Sequence, residues 1–399
     1  MGIVISGNKN LKFIKAVYYQ PVMPPPTPEK YLTIEALKDN FYISYTDFFY
    51  ENGFTEEEIQ QLCDESGWEY EKMQYSFDKI NWYILEPYDH TPFINAGEKI
   101  YLKRRCITPG LFEMSSMSLT NIFCDYQYNL SGNCNSILFG DGDGELFDGC
   151  FYQLFTSNYG LINISESFLP ATTLADNCYA YMFDCCTSLV TAPELPATTL
   201  DSWCYYGMFA HCTSLVTAPE LPATTLTNYC YNYMFADCSS LVSAPELSAT
   251  TLTEYCYAYM FSHCTSLVTA PELPATTLDS WCYYGMFANC TSLVTAPELP
   301  ATKLVGNCYQ SMFQNCSSLV TAPELPATTL RTNCYINMFD GCTKLNYIKA
   351  LFTTTPSSTY TSNWVKGVSS TGTFIKNKNA IWNVTGVHGI PSGWVVQTA

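Results

Sequence analysis

The sequence is short of charge. Only 14% of its residues are Asp, Glu, Lys or Arg, and 18 basic residues stand against 36 acidic ones, a formal net charge of −18. Nucleic acid demands clustered Lys and Arg to neutralise phosphates, so that class of partner is excluded. The same imbalance argues against an anionic membrane surface. No apolar run approaches the roughly 18 residues of a bilayer-crossing helix, so membrane insertion is not expected. Histidine is scarce as well, at 4 residues, and there is no C-x2-C pair, nucleophile elbow or phosphate-binding glycine loop. These absences point to a chain that is not an enzyme and uses no cofactor or metal. The start, Met1-Gly2-Ile3-Val4-Ile5-Ser6, has no basic stretch before its apolar run and no cleavage site, so it is not read as a signal peptide.

What is abundant is repetition. The copy beginning at Leu195 reads Leu195-Pro196-Ala197-Thr198-Thr199-Leu200, then Cys204-Tyr205, Met208-Phe209, Cys212-Thr213-Ser214-Leu215 and Ala218-Pro219-Glu220. Its opening leucine recurs at Leu169, Leu195, Leu221, Leu247, Leu273, Leu299 and Leu325, so seven copies fill 169–345 at a period of 26. One unit this small cannot bury its own apolar face; a stack of them can. The fold class expected is mostly β with short helices, a solenoid of 26-residue units preceded by a small β-sandwich domain.

Cysteine follows the same period. Fourteen of the 20 cysteines fall on two phases, one running from Cys178 to Cys334 and the other from Cys186 to Cys342. On a helix the C-x7-C spacing would hold the paired α-carbons about 12 Å apart, beyond disulfide reach. Two ladders of buried free thiols are the expectation, which suits a reducing compartment.

Taken in order, residues 1–29 are an N-terminal arm and a Pro-rich linker, Pro24-Pro25-Pro26-Thr27-Pro28, fit to anchor the chain. Residues 30–104 carry strand-like runs at 31–36, 41–45, 73–77, 81–85 and 99–102, with a helical insertion over 46–72. In that insertion Thr55 and Glu58 have the spacing of a capping box. Residues 105–168 read as degenerate capping repeats, because Cys150-Phe151 echoes Cys178-Tyr179 at an offset of 28. Within the regular copies, Leu215, Ala218 and Leu221 suggest a short strand. Leu200, Cys204, Met208 and Cys212 suggest one face of a short helix or helical turn. At strand spacing, seven copies would form a slab about 34 Å long. After Leu345 the pattern stops, and 346–399 reads as a C-terminal β cap.

The unit C-x-x-L-x-x-A-P-x-L-P-x-x-L-x-x-x-C-Y-x-x-M-F-x-x-C resembles the BspA-like leucine-rich repeats of gut Bacteroidales surface proteins and of related repeat proteins of their phages. The strands around Asn95-Ala96-Gly97 resemble the β-sandwich modules that precede such repeats. The resemblance implies a non-catalytic role in adhesion or recognition. This unit is longer than the commoner repeat of about 22–23 residues, and the signal peptide of the cell-surface members is missing. The missing signal shifts the expectation to a virion surface protein, such as a head or tail fibre or capsid decoration. Residues 1–29 would hold a capsid or tail protein and the repeats a host glycan or protein, with self-association left open. A bacterial cell-surface adhesin is the alternative.

Four sets of residues are singled out. Glu194, Glu220, Glu246, Glu272, Glu298 and Glu324 share one phase and should form an acidic column splayed into water. The copies vary most just before the first cysteine and between the two. There Trp203, Tyr206, Tyr229, Tyr233, Tyr255, Tyr259, Trp281 and Tyr284 form a candidate recognition surface. Copies 195–220 and 273–298 differ only at His211 versus Asn289, which suggests block duplication. His211, Asp237 and His263 share a further phase with Cys185, Asn289, Asn315 and Gly341, which reads as an exposed, freely varying position rather than a metal site. The run Asp141-Gly142-Asp143-Gly144-Glu145 lacks the EF-hand Gly and Glu positions and reads as an acidic loop.

Overall fold

The structure, a computed structural model, describes residues 30–66, 69–107, 120–124, 126–141 and 144–399. The arm and linker expected over 1–29 lie outside the described residues. The described chain is mostly β, with a few short helices.

The N-terminal region opens with β1 (Leu32–Ala36), β2 (Ser44–Asp47), α1 (Phe48–Glu51) and α2 (Glu56–Ser66). It continues through β3 (Glu69–Tyr70), β4 (Gln74–Ser76), β5 (Tyr83–Ile84), β6 (Lys99–Lys103), β7 (Cys106–Ile107) and β8 (Thr120–Phe123), then β9 (Tyr128–Ser131), α3 (Ser136–Phe139) and β10 (Leu161–Ile164). Six strands form one sheet in the order β10-β9-β1-β6-β4-β5, with β2-β8 and β3-β7 as separate two-stranded ladders. In β6 the alternation Lys-Ile-Tyr-Leu-Lys turns Ile100 and Leu102 into the core, as a half-buried strand requires. Strand β1 is central because its apolar residues are covered on both flanks, Ile34 pairing with Ile100 on one side and Leu130 on the other.

The sheet runs through the boundary expected at 104, since β9 and β10 belong to it. Helix α2 begins with the expected capping box. The Glu58 amide donates to Thr55 Oγ1 at 3.2 Å, and the Thr55 amide donates to Glu58 Oε2 at 2.8 Å. The Thr55 amide and hydroxyl, both donating to Glu58 Oε2, hold that carboxyl below the usual range. Beneath the sheet Arg104 Nη1 meets Asp47 Oδ2 at 2.8 Å and Thr120 Oγ1 at 2.8 Å, a fully buried ion pair.

The copies correct the helical expectation. Residues 201–212 form a run of consecutive four-residue turns. Cys204, Tyr206, Met208, Ala210 and Cys212 each donate their amide three residues back. The intervening amides of Trp203, Tyr205, Gly207, Phe209 and His211 donate instead to the next copy, to carbonyls of Asn228, Cys230, Asn232, Met234 and Ala236, 25 residues on. Half the donors stay within the copy and half go to the next one, so an α-helix cannot form. Every fourth residue takes a positive φ: Trp203 60°, Gly207 57° and His211 59°. The apolar recurrence of four in Leu200, Cys204, Met208 and Cys212 is therefore the period of the turns.

The strand expected at Leu215–Leu221 is likewise reduced. Neighbouring copies meet there in single parallel bridges, such as Thr217 to Ser243 and Thr269 to Thr295. Pro219 and Pro222 have no N–H, and the ladder cannot extend past them.

Side chains stack at the same register. Phe155, Phe183, Phe209, Phe235, Phe261, Phe287, Phe313 and Phe339 form a buried column with centroids 5.6–5.8 Å apart and planes within 9° of parallel, an offset stack. The tyrosines from Tyr179 to Tyr335 form a second column at 5.7–6.0 Å. The second cysteine of each copy, Cys186 through Cys342, donates its S–H to a phenylalanine carbonyl of the preceding copy at 3.0–3.2 Å. Among the described cysteines none is disulfide-bonded, and both ladders are buried. Burial pushes their thiols up.

Both ends are spliced into sheets. At the first end, Asn163 in β10 bridges Thr191, and Gly149, Gln153 and Ser157 keep the positive φ of the turn positions at the offset of 28 read from the sequence. At the other, β11 (Tyr347–Ala350), α4 (Ser358–Thr361), β12 (Thr373–Lys376) and β13 (Val395–Thr398) form the cap, its three strands parallel. The backbone pattern does not stop at Leu345. Asn337, Phe339 and Gly341 donate to carbonyls of Ser362, Trp364 and Lys366, and Asn363 and Gly367 repeat the positive φ of Asn337 and Gly341. One more layer of turns is present, written in a different sequence. Trp364 closes the core over Tyr335 and Phe339, and Phe352 stacks on Trp382 at 5.1 Å.

Candidate functional site

The variable residues lie at the first two positive-φ positions of the turns and beside them, while Tyr205, Met208 and Phe209 between the cysteines stay in the core. Trp203, Tyr229, Tyr255 and Trp281 sit at the first positive-φ position of four successive copies, at 60°, 59°, 54° and 61°. Their rings stack along the array at 3.9, 4.6 and 5.4 Å, with planes within 10° of parallel. The copies on either side place Asn177, Asn307 and Asn333 at the same position. The aromatic column thus has defined ends.

A second column runs beside it through Tyr152, Tyr181, Tyr206, Tyr233, Tyr259 and Tyr284, with centroids 4.6–6.1 Å apart. Here the tyrosine changes place. Tyr181, Tyr233 and Tyr259 occupy the second positive-φ position, whereas in two copies that position is Gly207 or Gly285 and the tyrosine comes one residue earlier. The glycines make room, because a β-carbon on Gly207 would lie 2.7 Å from the Tyr181 ring and one on Gly285 2.5 Å from the Tyr259 ring. Trp203 touches Tyr206 and Trp281 touches Tyr284, at 5.0 and 4.9 Å, so the two columns make one continuous aromatic face.

All eight aromatics singled out in the sequence are brought together. They are partly buried rather than exposed, because each ring covers its neighbour. Burial, with the neighbouring Tyr206 and Tyr284, pushes the Tyr233 hydroxyl up to about 12. Asp201, Glu254 and Asp279 stand next to the column in sequence. Asp176 lies at its Asn177 end. Burial, then Asp148 and Asp201, raise the Asp176 carboxyl to about 6.

The six glutamates occupy equivalent positions in successive copies. Five are exposed, and Glu324 pairs with Lys349 at 2.7 Å. One groove of about 310 Å³ opens on this face between Pro245, Glu246, Ser248, Glu272 and Pro274. Ser248 replaces the proline of the other copies. In the 141–145 run Asp141 is tied down by its neighbours. Asp141 is paired with Lys103 at 2.8 Å and Lys30 at 3.0 Å, and both hold its carboxyl well below the usual range. Gly142 and Asp143 lie outside the described residues.

The phase of His211, Asp237 and His263 is not a set of independent surface positions. His211 Nδ1 lies 2.9 Å from Asp184 Oδ1 and its Nε2 lies 3.7 Å from Asp237 Oδ2, while His263 Nδ1 is 3.9 Å from Asp237. Asp184 was the missed partner; its place one residue before Cys185, which shares the His211 phase one copy earlier, was the available signal. Burial and Asp184 push the Cys185 thiol up to about 11. A column of exposed valines, Val190, Val216, Val242, Val268, Val294 and Val320, was also missed. Its signal was a valine followed by threonine or serine at constant phase.

No family model, curated protein or solved structure matches the chain.

Proposed function

We propose that the chain is a non-enzymatic display protein of a phage virion, built as a leucine-rich-repeat solenoid of the BspA-like kind behind a small β-sandwich domain. The repeats hold a host-surface glycan on the aromatic face. Residues 1–29 attach to a capsid or tail protein, as in a head or tail fibre or a capsid decoration.

One observation carries this reading: four bulky aromatics held at positive φ in consecutive copies, where the flanking copies use asparagine. A left-handed conformation costs an ordinary residue about 1–2 kcal/mol, and less for asparagine. A stacked aromatic pair returns about 0.5–1.5 kcal/mol. Three stacking contacts therefore return less than four strained residues cost. Packing alone gives no reason to prefer Trp and Tyr over Asn, whereas a stacking ligand does. The carboxylates beside the column repel anionic sugars, so the ligand class is a neutral glycan whose apolar faces lie on the rings.

The test is binding of the full chain to arrayed neutral and sialylated oligosaccharides and to host-cell polysaccharide, with Trp203→Asn and Trp281→Asn as variants. Those substitutions copy the flanking repeats, so the fold should tolerate them. Binding to a neutral glycan that falls at least tenfold in both variants supports the proposal. Binding that is unchanged in both sinks the aromatic face as the site. The attachment reading is checked separately by intact-mass analysis of the chain from its native source. Recovery in purified particles with Met1 or Gly2 at the N-terminus supports it, and a processed or lipidated form in the cell envelope leaves the adhesin.

A further inference from the structure

We propose that Asp184, Cys185 and His211 bind one divalent transition-metal ion of the zinc class, clamping two adjacent copies together. A carboxylate oxygen, a thiol sulfur and an imidazole nitrogen from these residues all lie within 4.8 Å of one another. A zinc ion holds such donors at about 2.0–2.3 Å, so a small contraction closes the set around one ion. The donor chemistry chooses the metal. Thiolate and imidazole favour zinc, cobalt or copper over magnesium or calcium, which take oxygen alone.

The donors are held before any ion arrives. The Cys185 amide donates to the Ala210 carbonyl at 2.9 Å and the Asp184 amide donates to Tyr181 at 3.1 Å, which ties both residues into the turn and the next copy. His211 is tied to the copy beyond by its own amide, which donates to Ala236 at 2.8 Å. Asp184 is 19% exposed and His211 54%, so an ion has an approach from solvent and room for a water as its fourth partner. With Nδ1 facing the donor set, the other ring nitrogen faces Asp237 Oδ2 at 3.7 Å. That distance is longer than a hydrogen bond; a carboxylate that closes it on metal binding would fix the tautomer and orientation of the metal-bound histidine.

The set occurs once in the array. At the same phase the later copies carry Asn289, Asn315 and Gly341, and copy 273–298 differs from copy 195–220 only by having Asn289 for His211. Cys185 is also the one cysteine of the seven copies that is outside both buried ladders. A cation shared between neighbouring copies would pin the array close to its N-terminal end. This inference does not rest on the glycan reading.

The experiment is a Co²⁺ titration of the metal-free, folded full chain, followed by displacement with Zn²⁺. One equivalent should bind, with the near-ultraviolet absorption of a thiolate–cobalt bond and the intense visible bands of four-coordinate cobalt. Cys185→Ser should abolish the thiolate band. His211→Asn, which copies Asn289, should weaken Zn²⁺ at least tenfold. Asp237→Asn should weaken it by about 10–100-fold, the usual effect of losing such a partner. Circular dichroism confirms that each variant is folded. Absence of a stoichiometric complex in the wild-type chain overturns the proposal, as does a thiolate band that survives in Cys185→Ser.

Discussion

The N-terminal β region and the repeat array solve the same packing problem in opposite ways. The first uses contacts that occur once: the Arg104–Asp47 pair, the Tyr45 hydroxyl on the Leu85 carbonyl at 3.0 Å, and Ser136 linking Leu32 and Leu102. The array uses a few contacts many times over, namely the phenylalanine column, the tyrosine column and the S–H bonds of the second cysteines. Among the described residues the buried charges, Asp47, Arg104 and Lys376, all lie outside the seven copies. A translated contact is satisfied by an identical neighbour, so the array needs no buried charge to specify its register. Each copy depends chiefly on the two beside it. Its turn corners are thereby free to change, and the variable aromatics lie at those corners.

That contrast can be broken most directly at its unique contact. Asp47→Ala leaves the Arg104 guanidinium buried without its carboxylate and should cost about 3–5 kcal/mol. Calorimetry should show the N-terminal region unfolding earlier with the array transition little changed; a single transition shifted as a whole would show that the two regions are not separable. In the array, Gly207→Ala forces a β-carbon into the Tyr181 ring at positive φ and should cost about 1–2 kcal/mol. The loss should appear in denaturant melts but stay local, with hydrogen-exchange protection falling in copies 169–246 and not in those nearer the cap. Uniform loss of protection would argue for one cooperative unit.

Smaller effects sharpen the comparison. Asp176 holds its proton more tightly in the folded chain, at about 6, than its ordinary value of 3.8 allows when unfolded. Its contribution to stability is therefore full below pH 3.8 and is lost as the pH rises through about 6. Asp176→Asn should remove that decline, so melting temperatures at pH 4 and pH 7 should converge relative to wild type. A variant with the same pH slope as wild type would show that Asp176 is unperturbed. The smallest effect is expected from Tyr231→Phe. The Tyr231 hydroxyl is buried with no hydrogen-bond partner, and removing it should be neutral or stabilise by up to about 1 kcal/mol. A loss greater than that would mean that something satisfies this hydroxyl in solution.

Much of the architecture could be read from residues alone. The leucine period fixed the copies, the Thr55–Glu58 spacing predicted the start of α2, and the strand-like runs at 31–36, 73–77, 81–85 and 99–102 each contain a strand. The helical misreading has a definite cause. Leu200, Cys204, Met208 and Cys212 recur at four, close to the 3.6 of a helix, and only the longer register separates the two. Asparagine and glycine at Asn177, Gly207, Asn307, Asn333 and Gly341 were the overlooked clue, because those residues tolerate positive φ. The cap misled for the converse reason. Asn363 and Gly367 preserve the turn positions while both cysteines and the Met-Phe pair of the copies are gone.

The sequence by itself determined the period, the two cysteine ladders, the acidic surface and the concentration of variable aromatics at one part of the unit. These are properties of composition and spacing, and any fold that repeats each 26 residues must express them. Tertiary structure decided the rest: turns in place of helix, single bridges in place of strands, two aromatic columns in place of scattered rings, and the meeting of Asp184 and Cys185 with His211. Each depends on what lies in the neighbouring copy. Alternate amides bond 25 residues away, and no pattern within one unit reveals where those donors go.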